Sequence, residues 1–224
     1  MNAIKFMKYD LRRSKYVILL SVVLFTPLSA LMGYNVNGIF SVFCYMALVV
    51  MIGPATLFTY EQKTDCGFDN MLPGTDMERV AGRYLVGVFF IAFELALGFI
   101  TAFIMSNVFS MKMINITVTV LYFIAVTLIY LTLSNTLFYS IGRTANPQIK
   151  SLLIMIPAIV LWGGANMVMD ILTEDGNTTK LEGIMSFIIN HVKSIGIIAV
   201  VVGVLLYISG ILWCTKIVKK KDFR

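Results

Sequence analysis

Six apolar runs are the feature that most limits what this chain can fold into. They occupy about 16–32, 39–59, 85–108, 116–141, 152–169 and 195–214. Roughly 20 residues of helix cross the hydrocarbon core of a bilayer, so each run is long enough to span. None shows the period-two alternation of a barrel strand, and lipid tolerates only helices and closed barrels. The runs therefore predict an all-α polytopic membrane protein with six transmembrane helices. Only 13% of residues are charged and 58% are apolar, against about a quarter and about half in a soluble domain. So little charge excludes an ordinary soluble enzyme and a disordered chain. It leaves one transmembrane domain, residues 1–224, with no separate soluble domain. The basic flank before the first run resembles that of a signal peptide. The run outlasts a usual signal core and further spans follow, so it is expected to be a retained helix.

Basic residues set the orientation, because Lys and Arg concentrate in cytoplasmic loops. Residues 1–15 carry five, 60–84 three, 142–151 two and the tail after 214 five, which is fifteen of the 18 in the chain. The opposite loops hold only Lys112, Lys180 and Lys193. Both termini are expected in the cytoplasm. The net charge of +6 is thus a topology signal, with contact to anionic lipid headgroups rather than nucleic acid as its outlet. Cys44, Cys66 and Cys214 are odd in number and widely spaced, and His191 is the one histidine. No disulfide framework or metal site is expected from them.

Three segments outside the spans have their own pattern. In the first fifteen residues Ile4, Met7 and Leu11 share one flank and Lys5, Lys8 and Arg12 another. This predicts a short amphipathic helix in the membrane interface. The loop Tyr60–Tyr84 holds Glu61, Asp65, Asp69, Asp76 and Glu78, five of the twelve acidic residues. Pro73-Gly74 marks a turn there, and Thr75 with Glu78 forms a capping box, so a helix should start at Asp76 and run into the third span. A charged helix–turn–helix at the membrane face suits docking onto a soluble partner. Between the fifth and sixth runs, Leu181, Ile184, Met185, Ile188 and Val192 define an amphipathic helix on the outer side, either at the interface or dipping back into the bundle. Pro27, Pro54 and Pro157 fall inside spans, where each removes a backbone donor.

Catalytic patterns are missing. There is no G-x-x-x-x-G-K-[ST] phosphate loop, no H-E-x-x-H and no G-x-S-x-G. No catalytic residue, metal ligand or cofactor site is expected in this chain. Glu94 is the one ionisable residue well inside a span. A lone carboxylate in lipid is expensive, so it must face the bundle or a subunit interface. A buried hydrogen bond to a Tyr, Ser or Asn of another helix, contact with cationic or amphipathic cargo, and a proton relay are its three roles.

The stretch Tyr60-Glu61-Gln62-Lys63, Gly67 through Gly74, Arg79-Val80 and Arg83-Tyr84-Leu85, together with the order of the helices, resembles the permease subunits of ABC-2 type (type V) exporters. Within these it is most similar to the permeases of phenol-soluble modulin exporters. The resemblance implies a permease in a bacterial plasma membrane that pairs with a second permease, identical or homologous. A separate ABC ATPase subunit would bind the ATP. The N-terminal helix and the segment with Glu61, Asp65, Asp69, Thr75, Asp76, Glu78, Arg79 and Arg83 would couple it, and Glu94 would lie on the substrate path. The cargo would be amphipathic, membrane-active peptides. A permease for, or conferring immunity to, a bacteriocin or lantibiotic fits the same residues. An intramembrane enzyme and a channel or proton-coupled carrier are the readings from other classes; missing catalytic pairs and the lone Glu94 argue against them.

Overall fold

A computed structural model describes residues 3–35, 39–63, 74–109, 116–141 and 178–221. Among these, every regular element is helical. The elements are α1 (Ala3–Arg13), α2 (Lys15–Leu20), a π-helical turn (Ser21–Phe25), α3 (Thr26–Asn35), α4 (Ile39–Lys63), α5 (Asp76–Phe109), α6 (Ile116–Ile141) and α7 (Thr178–Lys221). Four stretches are long and apolar enough to cross a membrane: Lys15–Tyr34, Asp76–Phe109, Ile116–Ile141 and His191–Lys220. The second expected span falls in α4, whose apolar stretch Phe40–Pro54 is shorter. The expected fifth span, 152–169, and the 142–151 loop lie outside the described residues.

The last helix joins two segments that the sequence distinguishes by composition. The outer amphipathic segment and the final span form one helix of 44 residues, about 66 Å long at 1.5 Å per residue. No proline separates them, and the polar cluster His191–Lys193 does not interrupt the backbone ladder. Polarity alone does not end a helix; a missing donor or a competing cap does.

Small residues set the spacing between helices. Gly196, Gly203 and Gly210 recur every seven residues on α7 and receive Leu121, Leu128 and Thr132 of α6. Without side chains there, the two helices approach closely over most of α6, as small-residue seams do in membranes. Gly53 of α4 receives the Phe90 ring, and Gly98 of α5 receives the Phe43 ring. Phe43 also meets Phe123 of α6 edge-on, with centroids 5.9 Å apart. The buried centre is therefore α4, α5, α6 and α7, with Phe43, Met46, Val50, Tyr84, Phe90 and Leu131 fully enclosed.

These pairings fix which helix ends lie together. Gly87 and Tyr207 are level, as are Tyr84 and Cys214, so α5 and α7 run antiparallel. Cys214 also lies level with Thr136 of α6. The start of α5, the end of α6 and the end of α7 thus share one end of the bundle, and α1 packs there too.

Candidate functional site

The capping box predicted at the start of α5 is present. The Thr75 amide donates to Glu78 Oε2 at 2.9 Å, and the Glu78 amide donates to Thr75 Oγ1 at 3.3 Å. Each side chain satisfies an amide that helix geometry leaves without a partner. The helix begins at Asp76 and continues to Phe109 without interruption. At about 51 Å it exceeds the roughly 30 Å of bilayer hydrocarbon. Its first turns, with Asp76, Glu78, Arg79 and Arg83, are the polar portion.

α1 packs on those first turns. Phe6 is 6% exposed and fills the space beside two glycines. A Cβ at Gly82 would stand 2.6 Å from the Phe6 Cβ and 3.1 Å from the Ala3 carbonyl oxygen. A Cβ at Gly74 would meet the Phe6 ring at 2.7 Å. One turn along, Asp10 is buried and its Oδ2 lies 3.7 Å from Nε of Arg83. A carboxylate withdrawn from water requires such a cation nearby. Ser14, one turn further on the same face, is fully buried and its hydroxyl donates to the Asp10 carbonyl at 3.1 Å. The inner face of α1 is therefore Phe6, Asp10 and Ser14. The expected apolar flank is only its margin: Met7 and Leu11 reach the core, but Ile4 is 51% exposed.

The residue after Arg83 ties α5 to α7. The Tyr84 hydroxyl and Cys214 Sγ are 3.3 Å apart. Tyr207 packs edge-on against Tyr84, with centroids 4.8 Å apart. Arg83 and Tyr84 thus connect one short length of α5 to α1 on one side and to the end of α7 on the other.

Deeper in the bundle, Glu94 is fully buried and Oε1 accepts a hydrogen bond from the Ser21 hydroxyl at 2.5 Å. Its Oε2 and the Nδ2 of buried Asn135 have no hydrogen-bond partner among the described residues. Local sequence explains why Ser21 is there. Pro27 cannot donate to the ladder, and its ring crowds the carbonyl four residues back. The helix widens just before it into the π turn Ser21–Phe25. The Thr26 amide then reaches the Ser21 carbonyl, and the Thr26 hydroxyl donates to the same oxygen at 3.0 Å. Such turns reorient the side chains around them. Of the three roles open to Glu94, the structure supplies the partner for the first, a Ser on another helix.

The sequence-predicted residues divide accordingly. Thr75, Asp76, Glu78, Arg79 and Arg83 all stand at the start of α5, where Arg83 lies beside Asp10 of α1. Glu94 stands three turns away on the same helix. Glu61 falls in the last turn of α4, its side chain outside the described residues, as are Asp65 and Asp69. Phe6, Asp10, Ser21 and Tyr207 were not singled out from sequence, and Tyr84 and Cys214 were named there without this contact. Phe6, Asp10 and Ser14 recur every four residues, which is one helical face; that spacing was the available signal.

A bundle with four stretches long and apolar enough to cross a bilayer is that of a membrane protein. Residues 6–219 match the family described as ABC-2 family transporter protein. The chain belongs to that family, as a membrane permease subunit of an ABC exporter whose partner is an ABC ATPase. No curated protein and no solved structure matches the chain.

Proposed function

We propose that this permease forms, with a second identical or homologous permease, the path by which amphipathic membrane-active peptides such as phenol-soluble modulins leave a bacterial cell. In this reading the body has six spans, both termini are cytoplasmic, and ATP is bound by the partner subunit. The peptide class rests on the resemblance of the 60–85 stretch. The resemblance would put Glu94 beside that path, with its hydrogen bond to Ser21 as its first role and contact with a cationic group of the cargo as the alternative.

The observation that carries the mechanism is the joint between α1 and the start of α5. A capped helix start resists fraying, so a push applied to it travels along the helix. Phe6 against Gly74 and Gly82, with Asp10 beside Arg83, makes α1 move with it. Tyr84 passes the displacement to α7. An ATPase seated against Glu61, Asp65, Asp69, Asp76, Glu78 and Arg79 would therefore tilt α1, α5 and α7 together when it closes on ATP.

Charge reversal at Glu61 or Asp69, or Glu78→Ala, tests this reading. Removing a cap costs about 1 kcal/mol, so insertion should remain normal while ATPase co-purification or cargo-stimulated hydrolysis falls. Full binding and coupling in those variants, with both lost on changes in 142–151, would move the coupling site to that loop. Peptide export by cells with and without the gene tests the cargo, with a bacteriocin or lantibiotic panel as the contrast.

A further inference from the structure

We propose that a reciprocal tyrosine–glycine clasp locks α5 and α7 into one lever, whose far arm, residues 178–190 of α7, is where a displacement of the start of α5 is delivered. The same pattern stands on both helices: Tyr84-Leu85-Val86-Gly87 on α5 and Tyr207-Ile208-Ser209-Gly210 on α7. The helices run antiparallel, so each tyrosine lies level with the other's glycine. A Cβ at Gly87 would stand 2.7 Å from the Tyr207 hydroxyl oxygen, and a Cβ at Gly210 would stand 2.8 Å from that of Tyr84. Over Gly87, Tyr207 reaches the Tyr84 carbonyl; over Gly210, Tyr84 reaches Cys214 Sγ. Each helix thus seats its tyrosine in the gap that the other leaves.

The clasp resists sliding. Moving α7 by one turn along α5 would carry both hydroxyls off their glycines and onto residues with side chains. It would also strip the partners from two tyrosines that are both buried, and an orphaned buried hydroxyl costs more than its bond contributes. A displacement of α5 therefore takes α7 with it. On its other side α7 outreaches its neighbour. Leu121, Leu128 and Thr132 of α6 meet Gly196, Gly203 and Gly210 in the same order, so α6 and α7 run parallel. Because α6 begins at Ile116, shortly before Leu121, its start lies level with the region around His191. Residues 178–190 continue past it as uninterrupted helix, about 20 Å long at 1.5 Å per residue. The start of α5 and this overhang stand at opposite ends of the bundle, joined by one clasp and one unbroken helix.

The lever takes its input from the coupling contacts proposed above and adds the place where the stroke is delivered. For the test, the full chain with Cys44→Ala and Cys66→Ala is reconstituted in lipid with its native partners; the buried Cys214 stays. One cysteine is then introduced, by Met77→Cys at an exposed position on the start of α5 or by Ser186→Cys in the overhang. Maleimide labelling rates are compared with and without a non-hydrolysable ATP analogue. The nucleotide should change the rate at both positions. In a Gly87→Ala, Gly210→Ala variant the change at position 77 should persist and the change at 186 should be lost. Tyr207→Phe, which keeps the ring, should lose most of the change at 186 as well, and it decides the matter if the glycine variant does not assemble. A response at 186 that survives in these variants overturns the lever, as does a parent that responds at 77 alone or at 186 alone. No response at either position overturns the coupling reading and the lever with it.

Discussion

The Tyr207 hydroxyl donates to the main-chain carbonyl oxygen of Tyr84 at 2.5 Å, joining α7 to α5 through backbone rather than through a second side chain. The bond does not depend on what side chain stands at position 84. Tyr207→Phe should therefore weaken the α5–α7 contact by about 0.5–1.5 kcal/mol, the net worth of one hydrogen bond. Tyr84→Phe should leave this bond and remove the contacts of its hydroxyl with Cys214 and Thr136. Thermal unfolding of the detergent-solubilised variants measures both, with the larger loss expected for Tyr207→Phe.

Glu94→Gln keeps the acceptor that Ser21 uses and removes the charge. Folding, complex formation and export should all survive it if the hydrogen bond to Ser21 is the residue's role. Ser21→Ala leaves a buried oxygen without its donor and should cost about 1–3 kcal/mol. A well-folded, complex-forming Glu94→Gln protein that no longer exports would assign the carboxylate to transport instead.

Gly82→Ala should unseat α1. The added Cβ would collide with the Phe6 Cβ and approach the Ala3 carbonyl, and neither can swing aside because both are fixed to the α1 backbone. Overpacking of this kind costs about 1–3 kcal/mol. Limited proteolysis should cut the first fifteen residues faster in this variant than in the parent. Equal rates would mean that α1 is not held by the Phe6 contact.

In the proposed orientation, with both termini cytoplasmic, Cys66 should be closed to outside reagents. A Cys44→Ala, Cys214→Ala variant retains Cys66 alone. A membrane-impermeant maleimide should label it only after the cells are permeabilised. Labelling in intact cells would reverse the orientation read from Lys and Arg.

What the sequence disclosed follows the range of each interaction. The Thr75–Glu78 cap joins residues three apart, so spelling alone announced it. The third and fourth spans were legible because about twenty apolar residues admit one solution in lipid. Glu94 was legible as a group in need of a partner, but the choice of Ser21 was not. It depends on the π turn before Pro27 and on a pairing across 73 positions. Asp10 was obscured by its neighbours: among Lys8, Arg12 and Arg13 it resembles a charge on a solvated face, and only packing against α5 turns it inward. That the outer amphipathic segment runs unbroken into the last span was hidden for a related reason, since composition changes near residue 194 and backbone geometry does not.

Two links join the N-terminal helices to α5: Asp10 of α1 beside Arg83, and Ser21 of the first span bonded to Glu94. During synthesis the earlier partner of each leaves the ribosome long before the later one. Until the third span arrives, Asp10 and Ser21 have nothing on α5 to meet. The first span must wait in the bilayer, or in the insertion machinery, as a loosely held helix. The N-terminal helices therefore reach their final seats only after residues 83 and 94 have been made, so the end of the chain that is synthesised first is fixed late.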